Sequence, residues 1–224
     1  MKTFGVIPAR GGSKGIPRKN LVPINGKPLI QYTIEAALDS NINEVVVSSD
    51  DDEILELSAK LGAKPLLRPA HLAQDNTPSL PVIQHAFGSA SSHFDAVLTL
   101  QPTSPLRTFR HINEAIELFG QYEDANSLVS VMKVPHNMVP ESIMTLNESN
   151  FLIPYSKDKQ PLRRQDKPTY YARNGAAIYI TRNLSLQHYI FGGNTLIYEM
   201  SREESLDLDE KEDIPLIEYW LSNR

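Results

Sequence analysis

Four times between Phe4 and Phe119 a short apolar run is followed by a stretch whose apolar residues recur at helical spacing. The runs are Phe4–Ala9, Glu44–Asp50, Lys64–Leu67 and Ala96–Leu100. After them come Leu29, Ile30, Ile34, Ala37 and Leu38; Ile54, Leu57 and Leu61; Val82, Ile83, Ala86 and Phe87; and Ile112, Ala115, Ile116 and Phe119. Strand and helix alternating over short connections predict an α/β fold, a mostly parallel sheet with helices on both faces. The punctuation agrees. Pro28 suits a first helical turn, Gly62 a helix end, Thr108 a cap, and Pro65 an edge strand.

The rhythm breaks after the strand Ser127–Val134. From Pro135 to Tyr171 the chain is rich in proline and polar residues and loses its periodicity. An unstructured loop of that length is uncommon in a compact domain, so a small extension over 135–171 is expected, with 1–134 and 172–224 as the core. Ala176–Ile180 and Thr195–Met200 restore strand character, and Ile214, Ile217 and Leu221 mark a closing helix.

Ligands of open α/β sheets bind beyond the carboxyl ends of the strands. The stretch Arg68–Pro81 is irregular and polar, and three loops should gather at that rim: Arg10–Asn20, Arg68–Ser79 and Gln101–Arg107. The first carries Gly11, Gly12, Ser13 and Gly15 with the cations Arg10, Lys14, Arg18 and Lys19. Glycines let the backbone approach a ligand, and N–H groups with cations cradle a polyphosphate. The bland alternative is a basic surface loop. Neither the P-loop nor the dinucleotide-binding glycine spacing is present.

Near the end, Ser205-Leu206-Asp207-Leu208-Asp209 alternates. In an extended segment Asp207 and Asp209 share one face, with Leu206 and Leu208 toward the core. Two carboxylates on one side suit Mg²⁺ that keeps several waters and bridges phosphates; an acidic strand end without an ion is the alternative. Arg163, Arg164 and Arg173 flank the irregular region, either as a clamp for an acidic substrate or as surface charges. The six histidines lack zinc-site spacing, and His85 and His111 read as structural.

Composition narrows the classes. A net charge of −5 argues against general nucleic-acid or membrane binding, so the cationic loop is a local device. The absence of cysteine excludes disulfides and thiolate chemistry and is compatible with a reducing cytoplasm, the expected location. No basic-then-apolar leader opens the sequence, and no run reaches the roughly 18 apolar residues of a membrane span.

The stretch Ile7–Leu21 resembles the signature of the CMP-sialic acid synthetases (acylneuraminate cytidylyltransferases). So do Leu67–Ala70, Leu100–Arg107, Asn174-Gly175-Ala176 and Ser205–Asp209, in order along nearly the whole chain. Val134-Pro135-His136-Asn137 is similar to the branch acting on legionaminic acid. The resemblance implies a Rossmann-like nucleotidyltransferase joining CTP to a 2-keto nine-carbon sugar acid, with Mg²⁺ and release of pyrophosphate. It implies that Arg10, Lys14 and Lys19 hold the triphosphate, with Gly11, Gly12 and Ser13 in the loop. Asn20, Arg68 and Ser79 would position the nucleoside. Gln101, Tyr179 and either Arg163 or Arg164 would meet the sugar acid, with Arg173, Asn174 and Phe191 nearby. Asp207 and Asp209 would hold the metal, and Asp209 would help deprotonate the attacking hydroxyl. A homodimer is implied, its small extension covering the partner's site and Tyr189–Phe191 also able to reach across. The rival readings are a Kdo cytidylyltransferase or other sugar nucleotidyltransferase, and a non-catalytic nucleotide-binding module.

Overall fold

The computed structural model describes residues 1–13, 15–156 and 163–224, and of Arg164 the backbone alone. In chain order the strands and α-helices are β1 (Thr3–Pro8), a two-residue hairpin β2–β3 (Pro23–Ile24, Lys27–Pro28), α1 (Leu29–Leu38), β4 (Glu44–Ser49), α2 (Asp52–Leu61), β5 (Lys64–Leu67), α3 (Ser79–Phe87), β6 (Ala96–Thr99), α4 (Phe109–Gly120) and β7 (Ser127–Lys133). There follow a hairpin β8–β9 (Met144–Leu146, Leu152–Pro154), β10 (Tyr171–Arg173), β11 (Tyr179–Arg182), β12 (Thr195–Glu199) and α5 (Ile214–Ser222).

The main sheet has the order β10-β7-β11-β6-β1-β4-β5, with β12 also on β7. β6, β1, β4 and β5 are parallel neighbours, whereas β11 is antiparallel to both β6 and β7, and β10 is antiparallel to β7. β12 returns the sheet to the parallel sense. β5, with Pro65, is an edge strand as its proline requires.

The period of two decides which helix each strand residue meets. Ile7, Val45, Val47 and Leu98 pack with Ile30 and Ile34 of α1, Ile54 of α2, and Ile112, Ala115 and Phe119 of α4. Phe4, Val6, Val46 and Val97 face the other way, against Ile83 and Ala86 of α3. The helix ends follow the sequence: Asp51 accepts from the Ile54 amide, and Gly62 closes α2 at φ 98°. Between Thr108 and α4, His111 Nδ1 accepts from the Thr108 amide at 3.1 Å, a structural use of that histidine.

A smaller cluster matters more for the site. Ile16, Ile24 and Leu29 pack with Leu208 and with Ile217 of α5. It holds the first loop against the Ser205–Asp209 segment, nearly the full chain length away.

In the segment 205–209 the Leu208 amide donates to Thr103 O at 2.8 Å, and Leu206 and Leu208 reach that cluster as the alternation requires. Two expectations change. Ala176 to Ile178 are not strand, which begins at Tyr179, because Gly175 and Ala176 turn the chain at φ 68° and 61°. The irregular loop from Arg68 ends at Pro78, since Ser79 already opens α3. Between Val134 and Tyr170, whose backbones hydrogen-bond at 2.9 Å, the chain makes an excursion that carries the β8–β9 hairpin.

Candidate nucleotide and sugar-acid site

Beyond the carboxyl ends of β1, β4 and β6 the predicted loops converge. Arg10, Arg68, Ser79 and Gln101 line one cleft of about 250 Å³ together with Pro8 and Asp75. A groove of about 530 Å³ adjoins it, bounded by Asp50, Arg68 and Gln74. A third groove, about 660 Å³ between α1, α4 and residues 198–204, contains none of the predicted site residues.

The glycine loop is fixed from several sides. The Gly11 amide donates to Asp50 Oδ1 at 2.9 Å, and a β-carbon on Gly11 would fall 2.8 Å from the Asp51 side chain. Asn20 Nδ2 donates to Arg10 O at 2.9 Å, which closes the loop on itself. Asn20 thus spends its amide on shaping the loop. Arg10 forms an ion pair with Asp75 at 2.6 Å, and Arg18 pairs with Asp51 and Glu53. Gly12 has open space where its side chain would be. Ser13 stands in the loop beside Lys14, which lies outside the described residues.

Lys19 joins the loop to the acidic segment. Its Nζ donates to Leu208 O at 2.7 Å and lies 3.4 Å from Asp209 Oδ1. Asp209 is largely exposed, whereas Asp207 is sunk beside it. Burial pushes the Asp207 carboxyl up and repulsion from Asp209 adds to that, against the Ser104 hydroxyl, which donates to Oδ1 at 3.1 Å. Among the described residues no group of three or more His, Cys, Asp or Glu is placed to hold a metal. The two carboxylates are like-charged neighbours, one half-buried and one exposed.

Arg68 is buried, with Nη2 donating to Ser48 O at 2.6 Å and Nε to Ser48 Oγ at 3.2 Å. Burial lowers its pKa, and the nearby Asp50 opposes that.

The sugar-side predictions divide. Tyr179 meets Phe191 edge-on with centroids 5.2 Å apart, and the Arg173 guanidinium lies 4.7 Å over the Phe191 ring. These three stack on one another. Asn174 does not face the cleft. Its Oδ1 accepts from Ser130 at 2.6 Å and its Nδ2 donates to Ser205 at 3.0 Å, so it anchors the acidic segment to β7 rather than offering donors to a sugar. Arg163 pairs locally with Asp166 at 2.8 Å on the surface, and the Arg164 side chain lies outside the described residues. Sequence reading passed over Asp75, Ser104 and Asp50. Ser104 stood inside a recognised stretch, but only its distance to Asp207 reveals its part.

The fold and rim define an α/β domain in which a cationic glycine loop and a carboxylate pair meet through Lys19. The chain shares its fold with a CMP:2-keto-3-deoxy-manno-octonic acid synthetase complexed with CTP, at a TM-score of 0.76 and 20% identity over 100% of this chain and 99% of that one. A 4-diphosphocytidyl-2C-methyl-D-erythritol synthase from Anaerococcus prevotii superposes at 0.65 with 11% identity, over 99% and 98%. The sequence profile of the cytidylyltransferases matches residues 4–221, and the chain belongs to the cytidylyltransferase family. It is 38% identical to an N-acylneuraminate cytidylyltransferase of Escherichia coli over 96% of this chain and 51% of that protein. It is 36% identical to a pseudaminic acid cytidylyltransferase of Campylobacter jejuni over 96% and 94%. The chain thus spans about half the length of the first relative and nearly all of the second.

Proposed function

We propose that this protein joins CTP to a 2-keto nine-carbon sugar acid of the sialic, pseudaminic or legionaminic type, giving the CMP-sugar and pyrophosphate. One observation carries this assignment beyond family membership: Lys19, at the end of the glycine loop, reaches Leu208 O and Asp209 and so brings phosphate-binding cations and the carboxylate pair to one rim.

Arg10 and Lys19 would meet the triphosphate oxygens, Arg10 exchanging its exposed Asp75 partner for phosphate at small cost. Arg68, Ser79 and Gln101 share a cleft with Arg10, in which the nucleoside would lie toward Arg68 and the sugar acid toward Gln101. The anomeric hydroxyl then attacks the α-phosphorus in line, and negative charge grows on the departing pyrophosphate. Cations fixed at that position favour the transition state over the ground state. Asp209, exposed beside Lys19, would receive the hydroxyl proton directly or through water. Mg²⁺ held by Asp207 and Asp209 would supply further charge neutralisation at the phosphates.

The active form is proposed to be a homodimer that covers its sites with the 135–171 extension, in the cytoplasm. No helix of the described residues is long and apolar enough to cross a membrane. The test is pyrophosphate release from CTP and Mg²⁺ with sialic, pseudaminic, legionaminic and Kdo acids in parallel. Turnover with a nine-carbon acid is expected. Turnover confined to Kdo or to a sugar 1-phosphate would overturn the assignment.

A further inference from the structure

Arg107 closes the Gln101–Arg107 loop and has no part in the chemistry above. It is 2% exposed, and its partners are two main-chain carbonyls and one hydroxyl. Nη1 donates to Gln101 O at 3.1 Å and to Ala177 O at 2.8 Å, and Nη2 donates to Thr33 Oγ1 of α1 at 2.5 Å. Nε has no partner among the described residues. Burial brings this guanidinium down to about 9, against the attraction of Asp207. A buried cation is costly, and replacement by a packed apolar side chain is often neutral or stabilising for a fold, so stability alone is a poor reason for this arginine.

Geometry supplies a better one. The Gln101 amide also donates to Ala176 O at 3.2 Å, so the loop and the turn are joined twice, above and through the guanidinium. The loop presents Gln101 to the cleft, sends Ser104 to Asp207, and receives the Leu208 amide on Thr103 O. The turn carries Gly175, against which Asp207 rests. A planar fork can hold two carbonyls and a hydroxyl in fixed directions, which a lysine cannot do.

We infer that Arg107 is a positioning residue: it locks the 101–107 loop to the Asn174–Ala177 turn from beneath and so fixes where Gln101, Ser104 and Asp207 stand at the rim. It touches no reacting atom. The nucleotide cradle at residues 10–20 and Arg68 hangs on other contacts and is independent of it.

The test uses Arg107→Met and Arg107→Lys in the full chain, read first by amide hydrogen exchange without ligands. The Gln101, Ala177 and Leu208 amides should exchange at least tenfold faster in Arg107→Met, and less so in Arg107→Lys, with amides of β1 and β4 unchanged. The second reading is kinetic, and it alone rests on the activity proposed above. The KM for the sugar acid should rise about tenfold and kcat fall, while the Kd for CTP stays within about threefold. Unchanged exchange at the three amides, or equal acceleration over the whole sheet, would overturn the inference. Should Arg107→Met not fold, Thr33→Val removes only the Nη2 acceptor and should give the same local pattern, weaker; no local change there counts against it. If the unaltered protein turned over no acid, the activity assignment would fail and the exchange result would still decide the role of Arg107.

Discussion

Gly175 stands so close to Asp207 that a β-carbon on it would lie 2.5 Å from Oδ2, and its φ of 68° is one that side chains seldom accept. The turn and the half-buried carboxylate are therefore shaped to each other. Gly175→Ala has to take a left-handed conformation costing roughly 1–2 kcal/mol and also push Asp207 aside. We expect a folded protein with a lowered Tm, a kcat reduced at least tenfold, and CTP affinity near normal. Full turnover in this variant would show that Asp207 can move without consequence.

The ion pair between Arg10 and Asp75 yields a prediction of opposite sign. Asp75 occupies a guanidinium that the nucleotide is proposed to use, and the pair is half exposed. Exposed pairs are worth up to about 1 kcal/mol, so Asp75→Asn should tighten CTP binding by no more than about fivefold. Isothermal titration at low salt measures this, and the gain should shrink at high salt. Weaker binding in the variant would instead make Asp75 a support for the loop.

Much of this is legible in the sequence. Val45, Val46 and Val47 alternate between two helix layers because β-branched residues on a pleated strand have that option alone, and the sequence displays it. Gly62 and Pro65 behave as local chemistry requires. The Asn174–Ala177 turn was not legible, because Ala176, Ala177 and Ile178 are apolar in the manner of a strand. What bends them is the left-handed backbone at Gly175 and Ala176, packed against Asp207 about thirty residues away. Asn174 misled for a related reason: a recognised stretch names residues but not the direction of a side chain, and Ser130 and Ser205 claim both of its polar atoms. Arg107 only closed a predicted polar loop, yet it is among the most buried side chains described.

The β8–β9 hairpin bears on assembly. Met144, Leu146, Phe151, Leu152, Ile153 and Tyr155 are all exposed on it or beside it. A two-stranded hairpin with an uncovered apolar face is marginal in water, so a second copy should cover it. Light scattering should give a mass near twice 25.1 kDa. Replacing Phe151 and Leu152 with Asp should yield monomers that still bind CTP. A monomer that is fully active without these substitutions would contradict the covering role.

The acidic pair separates stability from catalysis. Asp207 is half-buried with its carboxyl raised, while Asp209 is exposed and paired with Lys19. A group that binds its proton more tightly when folded stabilises the fold at low pH, and that contribution is lost as pH rises through its folded value. Asp207→Asn keeps the volume and removes the charge. Its Tm relative to the unaltered protein should therefore improve from about pH 4 toward neutrality, measured without divalent ions. Asp209→Asn should leave Tm almost unchanged, since its ion pair is largely solvated. Turnover should fall in both, by roughly two to three powers of ten, the usual cost of losing one electrostatic contact to developing charge. The loss should lie mainly in kcat, with CTP still bound through Arg10 and Lys19. An Asp207→Asn protein that turned over normally with unchanged Mg²⁺ dependence would place the metal elsewhere. One that lost stability as pH rose would mean the half-buried carboxylate is held by its neighbours rather than penalised by them.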